Sequence, residues 1–304
     1  MGFKLKAGFI FLFLHYGFFL YAQSESDSIF RPSIKARKQI VFGSQALVAG
    51  GSLIYLNQAW YSQFEKSSFH FINDNDLWLQ MDKIGHITTV NYLSIINSKA
   101  YRWAGYNNKA ATWMGFGISY GFLTAVEIMD GFSAGWGFSW GDVAANTIGG
   151  ALFVAQQLTW KEQRIIMKFS YHPTEYADMR PEVLGETTME RVLKDYNGQT
   201  HWLSVNPQSF SKNKKILPRW LNFAIGYSAD GMLGGESNVG DDFDYSAIPR
   251  VRQLYFAPDI DFTRIKTRSK FLKTLFDVIN LIKIPAPTLE VDQTGKVQFY
   301  WLYF

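Results

Sequence analysis

The chain has 304 residues, a formal net charge of +4 and no cysteine, with 47% hydrophobic and 17% aromatic residues. The missing cysteine excludes disulfides, thiolate metal sites and a lipid carried on cysteine, and the small, dispersed charge gives no footprint for nucleic acid. Ten Trp and sixteen Tyr favour a membrane or envelope setting, because these rings carry one polar tip and collect at water–membrane interfaces.

Residues 1–22 follow the pattern of a secretory signal: Lys4 and Lys6, an apolar core from Phe9 to Leu20, and Leu-Tyr-Ala ending at Ala22. Residues 23–37 are polar and predict a mobile arm. From Ile40 to Gln63 there is no charge, and IVFGSQALVAGGSLIYL is an apolar run of seventeen residues. That is the lower limit for a membrane-spanning helix, and Ser44, Gln45, Gly50 and Gly51 weaken it. Residues 64–81 predict a loop whose Glu65, Asp74 and Asp76 are solvated. A helix then starts near Leu77 and runs to about Trp103. Asn108 is placed to cap a third helix from Lys109 to Met129, in which Gly115, Gly117 and Gly121 permit close helix approach. After the Gly and aromatic loop Phe132–Trp140, Ser139 caps a fourth helix to about Arg164.

Inside these apolar helices sit spaced polar pairs. Asp82 and His86 are four apart, Glu127 and Asp130 three apart, and Asp142 and Asn146 four apart, so each pair shares a helix face. A carboxylate or imidazole in such surroundings must be paired or shift its pKa, which makes the set a site candidate. Lys83 is expected to carry its ammonium out to a surface.

Beyond Lys168 the character changes. Residues 166–217 read as a polar connecting region, in which Asn197-Gly198 marks a turn and an exposed Trp202 would offer a carbohydrate or partner contact. From Pro218 the alternation of Leu221, Phe223, Ile225 and Tyr227 with smaller residues predicts a strand. RQLYFAPDIDFTRI alternates too, with Pro258 demanding an edge or a bend. Asp241, Asp242 and Asp244 lack calcium-loop spacing and read as a solvated loop. Ser269 to Lys283 has helical spacing, with Phe271, Leu272, Leu275 and Phe276 on one side. Leu289 to Phe304 reads as a hairpin about Gly295. Its ending, VQFYWLYF, resembles the closing strand of outer-membrane barrels, but both its faces are apolar. A small sheet packed on helices, or resting on a membrane, is the favoured expectation.

The progression DKIGH, then Glu127 in a glycine-rich helix, then SWGDVAANTIGG resembles the DUF2279 family, predicted periplasmic or outer-envelope proteins of the YfiM type often described as lipoproteins. It is more distantly similar to VanZ-like membrane proteins, which share a DK-H, Glu, D-N-G order. The matching positions are Asp82, Lys83, His86, Glu127, Ser139, Asp142, Asn146 and Gly149, over about residues 80–160. The resemblance implies an envelope location. It carries over no chemistry, and the absent cysteine departs from a lipoprotein.

The fold class expected is α+β: a bundle of about four apolar, glycine-rich helices (38–165), the connector 166–217, and a part with short strands and one amphipathic helix (218–304). The function expected is an exported, membrane-associated structural or assembly factor. The alternative is a hydrolase of lipid or glycan. Its catalytic candidates are His86, Glu127, Asp142, Asp82 and Asn146, with His86 as base or as one ligand of a divalent metal. No HExxH, GxSxG or P-loop spacing supports that alternative. The competing reading of the same residues is a buried polar network that fixes helix packing. The partners implied are membrane lipid and an envelope protein, with no nucleic acid. The sequence leaves the cofactor and metal open.

Overall fold

Long apolar segments punctuated by Asn, Ser and Gly become four helices: α1 (Ile34–Ala59), α2 (Met81–Trp103), α3 (Asn108–Gly131) and α4 (Trp140–Thr159). The computed structural model describes residues 32–59, 61, 64–213 and 216–304; the signal segment 1–22 and the arm as far as residue 31 lie outside them. The chain divides into two compact units. One holds the chain up to Asp74 with Thr89–Glu162 and Ser269–Thr274; the other holds Asn75–Thr88, Gln163–Arg268 and Leu275–Phe304.

In the first unit Val41, Ala100, Tyr101, Ala104 and Ala111 form a small apolar core. A polar ladder continues it. Tyr101 donates to Gln45, Gln45 donates to Asn97 at 2.9 Å, and Asn97 donates to Ser119 at 3.0 Å, which ties α1, α2 and α3 together. The outer faces are the apolar ones, with Leu47, Ile54, Trp113, Ile128, Trp140 and Ile148 exposed. The described helix at Ile34–Gln58 is long and apolar enough to cross a membrane by length and composition. Asn107, not Asn108, caps α3 by accepting from the Ala110 amide at 2.9 Å. Asn108 is occupied elsewhere, accepting from Gln157 Nε2 at 2.8 Å and donating to its carbonyl at 3.0 Å. The fourth helix stops at Thr159, short of Arg164, because a strand begins at Ile165.

In the second unit β3 (Ile165–Tyr171), β4 (Gln199–Val205), β5 (Leu221–Asp230), β8 (Val251–Ile260), β9 (Ala286–Asp292) and β10 (Val297–Tyr303) form one antiparallel sheet, in the order β10-β9-β8-β5-β4-β3. Three short helices, α5 (Tyr176–Met179), α6 (Pro181–Leu184) and α7 (Thr188–Lys194), link β3 to β4, and the amphipathic α8 (Lys270–Ile279) follows β8. Residues 166–217, read as a connector, therefore supply two strands. The remaining two-residue strands are β1 (Phe71–Ile72) with β2 (Phe138–Ser139), and β6 (Val239–Gly240) with β7 (Phe243–Asp244). Pro258 fits because β9 pairs with β8 only over Gln253–Phe256, leaving that edge open beside the proline. Gly295, at φ 85°, makes the final hairpin turn.

The sheet is strongly curled. In a flat sheet β10 and β4 would stand about 19 Å apart, four strand spacings. Instead the Tyr303 hydroxyl lies 3.2 Å from Thr200 Oγ1, and the Tyr303 and Trp202 rings are 6.1 Å apart. Trp202 is fully buried within this curve, which overturns the expectation of an exposed contact residue.

The glycines give a direct check on the helical unit. A Cβ on Gly115 would stand 2.6 Å from the Ser98 backbone nitrogen, whereas one on Gly117 meets nothing within 4 Å. Gly115→Ala should lower stability by about 1–3 kcal/mol through overpacking, while Gly117→Ala should raise it by about 0.5–1 kcal/mol as a plain helix substitution. Thermal unfolding in detergent reads both.

Candidate functional site

The motif residues are positioned by helix starts. Ser139 caps α4, its Oγ accepting from the Asp142 amide at 3.1 Å and donating to Asp74 Oδ1 at 2.6 Å. The Ser139 amide points at Glu127 Oε2, 3.4 Å away. Asp142 lies in the first turn of α4, where the helix dipole favours an anion. Glu127, Asp142 and Asn146 are all buried, Glu127 being 1% exposed. Glu127, Ser139, Asp142 and Asp74 are thus drawn into one hydrogen-bonded group at the α3–α4 junction. The parallel β1–β2 pair holds Asp74 there, since Ile72 is in register with Ser139.

Asn146 sits one turn further along α4, beside the level at which Asn91 Nδ2 donates to the Gly149 carbonyl at 3.1 Å. Asn91, Ser94 and Ser98 continue a buried polar line along α2. Asp130, the helical mate of Glu127, accepts from the Tyr61 hydroxyl at 2.7 Å.

Asp82 and His86 occupy the first turns of α2, in the second unit. His86 Nε2 stands 3.8 Å from Asp82 Oδ1, an ion-pair approach longer than a hydrogen bond. Asp82 also accepts from Lys83 Nζ at 3.1 Å and from the Tyr196 hydroxyl at 2.9 Å. Burial pushes the Asp82 carboxyl up, but the charges of His86 and Lys83 and these two hydrogen bonds outweigh it, so it lies below its ordinary value. An ionised carboxylate beside an imidazole can orient the ring.

A strained turn sets this pair in place. Trp78, Leu79 and Gln80 have φ of 51°, 49° and 65°, left-handed values that non-glycine residues adopt at a cost. Surrounding groups clamp the turn: the Trp78 amide donates to the Gly235 carbonyl at 2.7 Å, Tyr227 donates to the Leu79 carbonyl, and Arg252 donates to Gln80 Oε1 at 2.8 Å.

A family described as a predicted periplasmic lipoprotein family, DUF2279, matches residues 70–157. No curated protein and no solved structure matches the chain. The matched stretch runs from the β1 strand to the end of α4 and takes in Asp74, Asp82, His86, Glu127, Ser139, Asp142 and Asn146.

Two sequence expectations change here. Asp74 is a hydrogen-bond partner of Ser139 rather than a solvated loop charge, because β-pairing brings it 65 residues along the chain. Lys83 does not reach for solvent: its side chain is 12% exposed and bonded to Asp82. Asn91 and Tyr196 were not legible as motif neighbours. An isolated Asn on an apolar helix was the only signal for the first, and nothing local marked the second.

The depressed Asp82 carboxyl gives a sign for acid behaviour. A group whose folded pKa lies below its unfolded value stabilises the fold at neutral pH, and that contribution disappears as pH falls below the ordinary 3.8 and through the folded value. Asp82→Asn should therefore be less stable than the parent at pH 7, with the gap closing in acid. A pH series of chemical unfolding midpoints measures it.

Proposed function

We propose that this protein is an exported, membrane-associated envelope factor whose buried polar residues hold its helices in one arrangement. The observation that carries this reading is the reversed polarity of the helical unit: Gln45, Asn91, Asn97, Ser119, Glu127 and Ser139 bond helix to helix or cap to helix inside, while Leu47, Ile54, Trp113 and Ile148 face outward. Helix association in lipid relies on small residues and interhelical hydrogen bonds of this kind. The periplasmic description of the matched family supports the export part of this reading.

The second reading, hydrolysis of a lipid or glycan with His86 as base, draws support from the Asp82–His86 approach within the second unit. A carboxylate orienting an imidazole suits a general base. The two readings separate on mutants. For a structural network, Glu127→Ala removes a buried acceptor and lowers stability by about 1–3 kcal/mol, and His86→Ala also destabilises. For an enzyme, His86→Ala folds like the parent and loses turnover of a lipid or glycan substrate.

Membrane attachment is tested by washing host membranes with alkaline carbonate and with urea. Retention of the chain in the washed membranes is the expected result. Complete release into the wash would remove the proposal.

A further inference from the structure

The sheet of the second unit has its polarity inside out. Strand alternation sends Asn222, Ala224, Gly226 and Ser228 to the concave side of β5 and Phe223 and Ile225 to the convex side, and only the first set is buried. On β8, Tyr255, Ala257 and Asp259 face in while Leu254, Phe256 and Pro258 face out. On β9, Thr288 and Glu290 face in while Leu289 faces out. β10 adds exposed Phe299 and Trp301, the latter 80% exposed. Registers put Ile225 beside Phe256, Phe256 beside Leu289, and Leu289 beside Phe299, so one apolar row crosses four strands.

Beside the apolar cluster of Trp202, Ala224, Tyr255 and Ala257, the concave side carries a dense set of polar groups. It holds the Lys168–Asp259 ion pair at 2.7 Å, Ser204 donating to Asp259 at 2.6 Å, Asn222 donating to Ser204 at 2.9 Å, and Tyr300 donating to Glu290 at 2.8 Å. A sheet in water shows the opposite arrangement, with its apolar face on the core. Polar-in and apolar-out alternation is what a strand wall in lipid requires.

Three further features choose lipid over a protein partner. The apolar face is convex, because the sheet curls until Tyr303 meets Thr200 and Trp202; fluid acyl chains cover such a surface without a matching mould. From Leu254 to Pro258 the exposed face is about 13 Å long at roughly 3.3 Å per residue, close to the depth of one leaflet of a hydrocarbon core about 30 Å thick. The two ends differ in chemistry. Exposed Trp220 and Trp301 lie at the end where β5 starts and β10 finishes, as interfacial anchors do, and the opposite end carries Arg252, Asp292 and Lys296.

Over β4 the convex side is already covered, with His201 buried against Thr88. We propose that the convex face of β5, β8, β9 and β10, centred on Ile225, Phe256 and Phe299, is seated in the acyl region of a lipid bilayer. This rests on the membrane association proposed above and names the surface and the ligand class. The absence of native cysteine makes the test clean. Ile225→Cys, Phe256→Cys, Phe299→Cys and, as a control, Lys296→Cys are each spin-labelled. The full chain is reconstituted into phosphatidylethanolamine/phosphatidylglycerol vesicles, and relaxation by oxygen and by a water-soluble nickel chelate is compared. The expected result is high oxygen access with loss of nickel access at 225, 256 and 299, and the reverse at 296. Nickel access at all four positions in chain that stays with the vesicles through a carbonate wash would place the sheet in water and overturn the inference while leaving membrane association intact. Shielding of 225, 256 and 299 from both reagents would mean a protein covers the face, and would overturn it equally. Chain that leaves the vesicles in the wash would defeat both proposals.

Discussion

Lys168 and Asp259 meet at 2.7 Å with neither side chain exposed, and the sheet is arranged around that pair. Two charges out of water are expensive unless each has further partners. Here Lys168 also donates to the Ile260 carbonyl at 2.7 Å, and Asp259 also accepts from Ser204 at 2.6 Å. Because side chains alternate along a strand, placing this pair inside fixes the inside positions of β3 and β8, and pairing passes the constraint to β5, β9 and β4. A slip of one residue would carry Asn222, Ser228 and Glu290 outward and Phe223, Ile225 and Phe256 inward. The apolar convex face is thus the other half of a polar interior.

The helical unit repeats the logic with a different period. Buried amides and hydroxyls at Gln45, Asn97 and Ser119 run between helices, and the group built on Ser139 closes the α3–α4 junction. Gly115 and Gly150 let the helices approach closely enough for those bonds: a Cβ on Gly150 would collide with the Phe116 ring at 2.1 Å. Exposed Trp113, Trp140 and Ile148 are what remains for the outside. In both units hydrogen bonds run through the interior beside small apolar clusters, while further apolar area faces the surroundings.

This reversal explains which parts of the fold were legible in the sequence. The four helices, α8, the Gly295 hairpin and the alternation of β5 and β8 follow from period and turn chemistry. β3 and β4 were hidden because Lys168, Ser170, Thr200 and Ser204 are their inward residues. A strand with polar residues inside looks like a polar connector when the inside is assumed apolar. Trp202 misled for the same reason: its indole is buried with its N–H bonded to Ser170 at 2.9 Å. For the site, the spacing of Asp82, His86, Glu127, Asp142 and Asn146 located the helix faces. Asp74 and Tyr196 join through strand pairing and a contact 114 residues apart, and the left-handed turn at Trp78–Gln80 has no glycine to announce it.

The central claim is that Ile225 belongs to the outside and that the outside is hydrocarbon. It is tested most directly by placing a charge there: Ile225→Arg, with the free energy of folding into vesicles measured by reversible chemical unfolding. The account predicts a loss of about 2–4 kcal/mol, the cost of an arginine deep in a bilayer on a lipid-facing strand. Folding into vesicles as stable as the parent's would mean the arginine is in water, and the polarity of the sheet would need another explanation.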